Sequence, residues 1–272
     1  MSELHPVPLS IEGAAVLHQM FRFDWPIWND LTEAERESAL SEARILFEQM
    51  ETAEDGQSAF FTVYGHKGDL LFVHFRRDFE QLSQAQRSID RLRLREFLEP
   101  STSYVSIVEL GLYESTVKLY RSLKEQGIAP HSEQWMAAVE ETLQRQREAM
   151  GSRLYPEIPP TKYVCFYPMD RRRGEQNNWY TLSIEERQRQ MQEHGGNGRR
   201  YAGAVKQIIS SSIGFDDWEW GVDLFADEPV VFKRLVYELR FDEASAKYSE
   251  FGPFYIGKRF RATELEQALN VG

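Results

Sequence analysis

KYVCFYPMDRRR, residues 162–173, is the stretch from which the rest of the chain is read. Lys162 to Phe166 is dense in aromatic and β-branched residues, which favour a strand, and Pro168 marks its expected end. Alternate side chains of a strand share a face, so Tyr163, Cys165, Tyr167 and Met169 line up together. Arg171, Arg172 and Arg173 follow and put fixed positive charge beside a phenol and a thioether. On its own the stretch also reads as a core strand followed by a solvated basic turn, which is the commoner outcome.

Composition bounds the rest. The chain has 272 residues, 42% hydrophobic and 28% charged, as in ordinary globular proteins. At ~150 residues per domain this length suggests about two domains. No apolar run approaches the ~20 residues a membrane helix needs. MSELHPVPLS, at the start, lacks the basic end and apolar core of a signal peptide, so a cytoplasmic chain is expected. The formal net charge of −11 argues against nucleic acid and against an anionic membrane as partners. Arginines at 171–173 and 199–200 still leave room for a small anionic ligand. The single cysteine, Cys165, excludes an intrachain disulfide and a Cys-based zinc cluster.

Outward from that stretch, the chain reads as one pattern used twice. After a Pro-containing arm over residues 1–12, strands are predicted at 14–23, 59–65, 70–76 and 103–113. Helices are predicted at 32–50, opened by the capping box Thr32/Glu35, and from Asp78 to about Leu94. Charged helices at 117–127 and 132–150 form a connector. The pattern then restarts with a strand at 162–167 and a helix at 183–194. That helix has the capping box Ser183/Glu186 and Gly195-Gly196 as its stop. Strands at 205–211 and 219–225, a helix at 227–241 and a strand at 248–259 complete it. Each half is therefore ferredoxin-like, and the expected fold is α+β: two tandem ferredoxin-like repeats closing a dimeric α+β barrel within one chain. The expected division is 1–115 for a scaffold and assembly half, 116–160 for the connector, and 161–272 for the half that carries chemistry. A shift of 147 residues pairs Tyr167 with Met20, His194 with Phe47 and Gln207 with Phe60, polar or redox-capable against apolar.

His194, at an expected helix end, lacks the second His or Cys a zinc site needs, but one histidine suffices for a haem. Gln207 sits in an otherwise mostly apolar row with Val205, Ile209 and Ser211. Arg153 and Arg171 flank the Tyr167 strand and suit bidentate capture of carboxylates. Taken singly, these are also a helix-end histidine, an edge glutamine and solvated arginines. No P-loop, GxGxxG, GxSxG or HExxH appears.

Together FYPMD (166–170), EHGGNGR (193–199), VKQIIS (205–210) and FDDWEWGVDLF (215–225) resemble the chlorite dismutase-like superfamily. Within it they are most similar to the coproheme decarboxylases, the hydrogen-peroxide-dependent haem synthases. The resemblance spans about residues 10 to 262. It implies an oxidoreductase of haem and porphyrin biosynthesis that converts two propionates of iron coproporphyrin III to vinyls, giving haem b. The substrate is then also the redox cofactor, hydrogen peroxide the oxidant, and a coproporphyrin ferrochelatase the supplier. Five protomers would form a ring. The resemblance places the catalytic tyrosine at Tyr167, the iron ligand at His194 and the distal glutamine at Gln207. Substrate contacts fall on Arg153, on Tyr167, Pro168, Met169, Asp170 and Arg171, and on Ser245. Several relatives carry lysine where this chain has Arg171. The other readings are a chlorite dismutase-like haem enzyme, which would want an arginine at 207, and a haem carrier or sensor, which has no use for Tyr167.

Overall fold

The computed structural model describes residues 4, 5 and 7–269. Its first half comprises β1 (Ser10–Phe23), α1 (Trp25–Asp30), α2 (Glu33–Thr52), β2 (Ser58–Val63), β3 (Leu70–Arg76), α3 (Phe79–Asp90) and β4 (Leu98–Gly111). Helices α4 (Tyr113–Glu125) and α5 (Glu133–Leu154) connect it to β5 (Tyr163–Arg171) and α6 (Ile184–Arg199). Then come β6 (Lys206–Ser211), β7 (Trp220–Ala226), α7 (Val230–Leu239), α8 (Glu243–Tyr248), β8 (Ser249–Phe251), β9 (Tyr255–Phe260) and α9 (Leu265–Leu269). The arm read over residues 1–12 lies partly outside the described residues. Among them, no helix is long and apolar enough to cross a membrane.

The strands pair in the order β7-β6-β4-β1-β3-β2-β9-β5-β8, and β5 also pairs with β7. That last pairing closes eight strands into a barrel, with β8 appended. Each half contributes a four-stranded sheet of the same ferredoxin-like order, β4-β1-β3-β2 and β6-β7-β5-β9. The seams are β4–β6, through Ile107↔Ser211 and Val108↔Ser210, and β2–β9, from Phe60↔Phe260 to Val63↔Gly257. The interior is filled by alternate residues of both sheets, among them Val16, Phe61, Val73, Tyr104, Val164, Phe166, Ile208 and Phe225. Outside, the first sheet packs against α2 through Phe21, Phe47, Phe60 and Phe72. The second packs through Cys165, Tyr167, Val222 and Leu224 against Phe232, Leu235 and Leu239 of α7.

Four local readings change. β5 does not stop at Pro168 but runs to Arg171. The Pro168 carbonyl accepts from Gly252, so its missing N–H lies on the side where β8 and β9 break, and no ladder bond is lost. That break, at residues 252–254, also splits the strand read over 248–259 in two. Gly195 and Gly196 do not stop α6, which runs through them to Arg199. Neither is in the left-handed region that makes glycine a helix stop. The Ser183/Glu186 box is half formed: Ser183 Oγ accepts from Glu186 N, while the Glu186 carboxylate is taken by Arg189 and Gln190. The Thr32/Glu35 box is complete.

The first half also buries an ionisable group. His74 is fully enclosed between Ser58 Oγ (2.7 Å) and Gln19 Oε1 (3.2 Å). Burial, with Arg76 and His18 adding to it, pushes its pKa down to about 3 from 6.5. Between those values the unfolded chain binds a proton at His74 that the folded chain refuses, so stability is full above pH 6.5 and falls on acidification. His74→Gln, which keeps polar atoms at the site, is expected to flatten the loss of thermal midpoint between pH 7 and pH 4. Melting curves of both proteins at the two pH values check this; parallel losses refute it.

Candidate functional site

A pocket of about 1290 Å³ lies outside the barrel, between the second sheet, α6 and the connector. It exceeds the roughly 300–1,000 Å³ of ordinary small-molecule sites. Tyr167, Met169 and Arg171 reach it from β5, His194 from α6, Gln207 from β6, Arg153 from α5 and Ser245 from α8. The side chains of Pro168 and Asp170 are not on its wall, since strand alternation turns them away. Pro168 packs toward Gly252, and Asp170 Oδ1 accepts from the Glu219 N–H at 2.7 Å. The first half also borders it: the end of β4 and the start of α4, from Val108 to Ser115, form one wall.

His194 is held by a residue that the sequence reading passed over. Its Nδ1 lies 2.8 Å from Asp242 Oδ2, and Ser245 Oγ lies 3.4 Å from the same nitrogen. A carboxylate only accepts, so Nδ1 carries a proton toward Asp242, and in the neutral tautomer the lone pair is on Nε2. Burial works to raise the Asp242 carboxyl, but hydrogen bonds from His194 and Ser245 outweigh it and hold it below its ordinary value. Asp242 also caps α8, its Oδ1 accepting from Ser245 N at 2.8 Å. The D-E-A-S run at 242–245 is an N-cap pattern, and that signal could have flagged it. Because α6 continues past His194, the helix dipole is a weaker influence there than this carboxylate.

Tyr167 is buried and its ring stacks on Phe254, centroids 4.5 Å apart. Burial pushes its phenol well above the ordinary value, so it stays protonated at any physiological pH. Arg171 is fixed rather than solvated. Its guanidinium donates to Ser249 Oγ (2.8 Å), Ala244 O (3.3 Å) and Met191 Sδ (3.3 Å), and lies 4.4 Å from the Trp179 ring centre. None of those acceptors is a carboxylate, and burial lowers its pKa. Arg153, Arg171, Arg187, Arg199 and Lys206 line the pocket against Glu109 and Glu114, so a chain of net charge −11 gathers cations here. Such a wall selects an anionic ligand. Among the described residues, no group of three or more His, Cys, Asp and Glu could hold a metal ion.

The sequence pattern of the chlorite dismutase family matches residues 36–260. The chain belongs to the chlorite dismutase family. It is 41% identical over 263 residues to a protein of Natronomonas pharaonis named for heme binding, covering 95% of this chain and 41% of that one. It is 44% identical over 266 residues to a likewise named protein of Haloquadratum walsbyi, covering 97% of this chain and 47% of that one. This chain thus spans less than half the length of those relatives. The solved structure of a heme-binding protein from Thermus thermophilus superposes with a TM-score of 0.82 at 39% identity, over 97% of this chain and 99% of that one. Chlorite dismutase from Candidatus Nitrospira defluvii shares the fold, with a TM-score of 0.69 at 20% identity, over 95% of this chain and 96% of that one.

Asp242 both caps α8 and anchors His194, so Asp242→Ala is expected to lower unfolding free energy by about 1–2 kcal/mol. Asp242→Asn keeps an N-capping oxygen and is expected to lose clearly less. Urea unfolding of the three proteins measures both; equal losses would show that the cap contributes nothing.

Proposed function

We propose that this protein is a coproheme decarboxylase, converting two propionates of iron coproporphyrin III to vinyls with hydrogen peroxide and giving haem b. The observation that supports it most is the meeting of Tyr167, His194 and Gln207 on one large pocket whose walls are rich in cations. The residues fit the group: one pre-oriented imidazole for iron, apolar and aromatic walls for a flat macrocycle, and arginines for its carboxylates. The heme-binding names of relatives at 39–44% identity support the same reading.

Iron porphyrin, when bound, supplies the activation of peroxide. His194 Nε2 would hold the iron, with Asp242 fixing the ring and its tautomer. Arg153 and Arg171 hold propionates, and the immobilised guanidinium of Arg171 sets where one of them lies. Tyr167 gives up a hydrogen atom on oxidation and takes one back from the β-carbon of a propionate. Loss of a second electron and of carbon dioxide leaves the vinyl. Per vinyl, R–CH2–CH2–COO⁻, one H2O2 and one H⁺ become R–CH=CH2, CO2 and two H2O. A neutral buried phenol suits this role, since its proton and electron leave together. Ser245, beside His194 Nδ1, serves ligand orientation as well as substrate contact. A five-membered ring, a cytoplasmic setting and delivery of substrate by a coproporphyrin ferrochelatase belong to the same proposal.

The deciding experiment is Tyr167→Phe loaded with iron coproporphyrin III and given stoichiometric peroxide. Porphyrin binding is expected to stay close to wild type, and mass spectrometry is expected to find almost no three-propionate intermediate and no haem b. Wild-type yields from this variant would refute the assignment. Uncharged Gln207 offers no fixed cation to a chlorine oxyanion, so chlorite is expected to release little or no oxygen. Sustained release at an oxygen electrode would favour a chlorite dismutase instead.

A further inference from the structure

The face of β5 that carries Tyr167, Met169 and Arg171 to the pocket continues in the other direction. Cys165 and then Tyr163 follow on the same face, in steps of about 6.6 Å along the strand. Across β9 from Cys165, and diagonal to Tyr163, lies Tyr64, just after β2. Its N–H donates to Ile256 O at 2.9 Å, and Ile256 is the β9 partner of Cys165. Burial and, after it, the nearby Tyr163 phenol raise the Tyr64 pKa. Tyr64 is 55% exposed, whereas Tyr167 is buried. Val222, Leu224, Ala226 and Phe232, which pack in the same cluster, are not easily oxidised; Met169 and Tyr201 are the other oxidisable side chains packed against it.

We propose that Tyr167, Cys165, Tyr163 and Tyr64 form a redox file that carries one-electron oxidation from the pocket to a surface site at Tyr64, where small phenols or hydroquinones are oxidised. The proposal rests on the reading of Tyr167 as the residue oxidised by peroxide at the bound porphyrin. Each step moves one hydrogen atom. The Tyr167 phenoxyl takes it from the Cys165 thiol, the thiyl takes it from the Tyr163 hydroxyl, and the Tyr163 phenoxyl takes it from Tyr64. Tyr64 is restored by a hydrogen atom from the external phenol, so one peroxide oxidises two donor molecules and yields two waters. Burial keeps Cys165 in the thiol form that such a step needs, its pKa pushed up to about 12. With no second cysteine in the chain, the thiyl cannot be trapped as an intrachain disulfide. Oxidising equivalents that miss a propionate would leave by this route instead of damaging the pocket.

The test uses the protein loaded with iron coproporphyrin III, peroxide and a covalent spin trap, with labelled peptides and porphyrin products read by mass spectrometry in one sample. Label is expected on Tyr64 and not on Tyr237, which is 57% exposed but off the file. Tyr163→Phe is expected to lose the Tyr64 label while keeping its porphyrin products, and Tyr64→Phe to slow hydroquinone oxidation without changing decarboxylation. Products without Tyr64 label, or label that survives Tyr163→Phe or falls equally on Tyr237, overturn the file alone. Absence of both products and label overturns the file together with the proposed function.

Discussion

The rest of the structure depends on the barrel interior being full. Phe166 points inward and stacks on His18 at 3.9 Å, and His18 Nε2 reaches Asp223 Oδ1 at 2.9 Å. That bond ties β1 of the first half to β7 of the second. All three side chains are buried, and removing one polar partner would leave the other unsatisfied at a cost of about 1–3 kcal/mol. With Phe166 committed to the interior, the period of two forces Tyr167 outward. A slip of one register step would bury the tyrosine in the barrel and expose the phenylalanine, so the packing fixes the direction of the phenol. The pocket lies outside the sheet because no space is left inside it.

The two halves use that outer face in opposite ways. In the first half it is closed: Phe47 stacks on Phe60 at 4.0 Å, and Phe72 meets both rings and Phe21. Strand pairing also corrects one correspondence drawn from the 147-residue shift. Phe60 pairs with Phe72, and Phe72 with Gln19; Gln207 pairs with Leu224, and Leu224 with Cys165. Cys165 therefore matches Gln19, and Tyr167 matches Phe21 rather than Met20, which faces the interior. A phenylalanine cluster thus stands where the second half has Tyr167, Gln207 and open volume. The same scaffold that makes a core in one copy makes a binding pocket in the other, by exchanging rings for smaller or polar groups.

The sequence made legible what is carried by short-range pattern. β3 spans the predicted residues 70–76, and both helices flagged by Thr32 and Ser183 begin there. What it hid was set by distant partners. Pro168 reads as a strand end unless one knows that the neighbouring strand breaks beside it. Gly195-Gly196 reads as a stop, although nothing in their backbone geometry makes them one. Of the candidate site residues, the alternation around Tyr167 was readable and brings Met169 and Arg171 to the pocket with it. The same alternation, applied strictly, would have removed the side chains of Pro168 and Asp170 from its wall. Asp242, far along the chain from His194, was visible only as a helix cap; that the cap also holds the imidazole is a tertiary fact.

Rigidity explains why those particular anchors matter. Tyr167 is set by its pairing with Val222 and by a stacked ring, so its hydroxyl has little freedom of position. His194 is set by a helix on one side and a capped carboxylate on the other, so ring angle and tautomer are chosen before any ligand arrives. Arg171 is set by two oxygen acceptors, a thioether and the Trp179 face, which removes the rotamer freedom a surface arginine would lose on binding. Arg153, by contrast, is exposed on the last turn of α5, its guanidinium donating to the Met150 thioether at 3.7 Å. Of these two arginines on the pocket wall, one is held in place and the other is exposed, so they would grip an anionic ligand unequally. The held charge would define position next to Tyr167, while the exposed charge would add attraction without dictating it. On the coproheme reading proposed above, that asymmetry would present one carboxylate to the phenol ahead of the others.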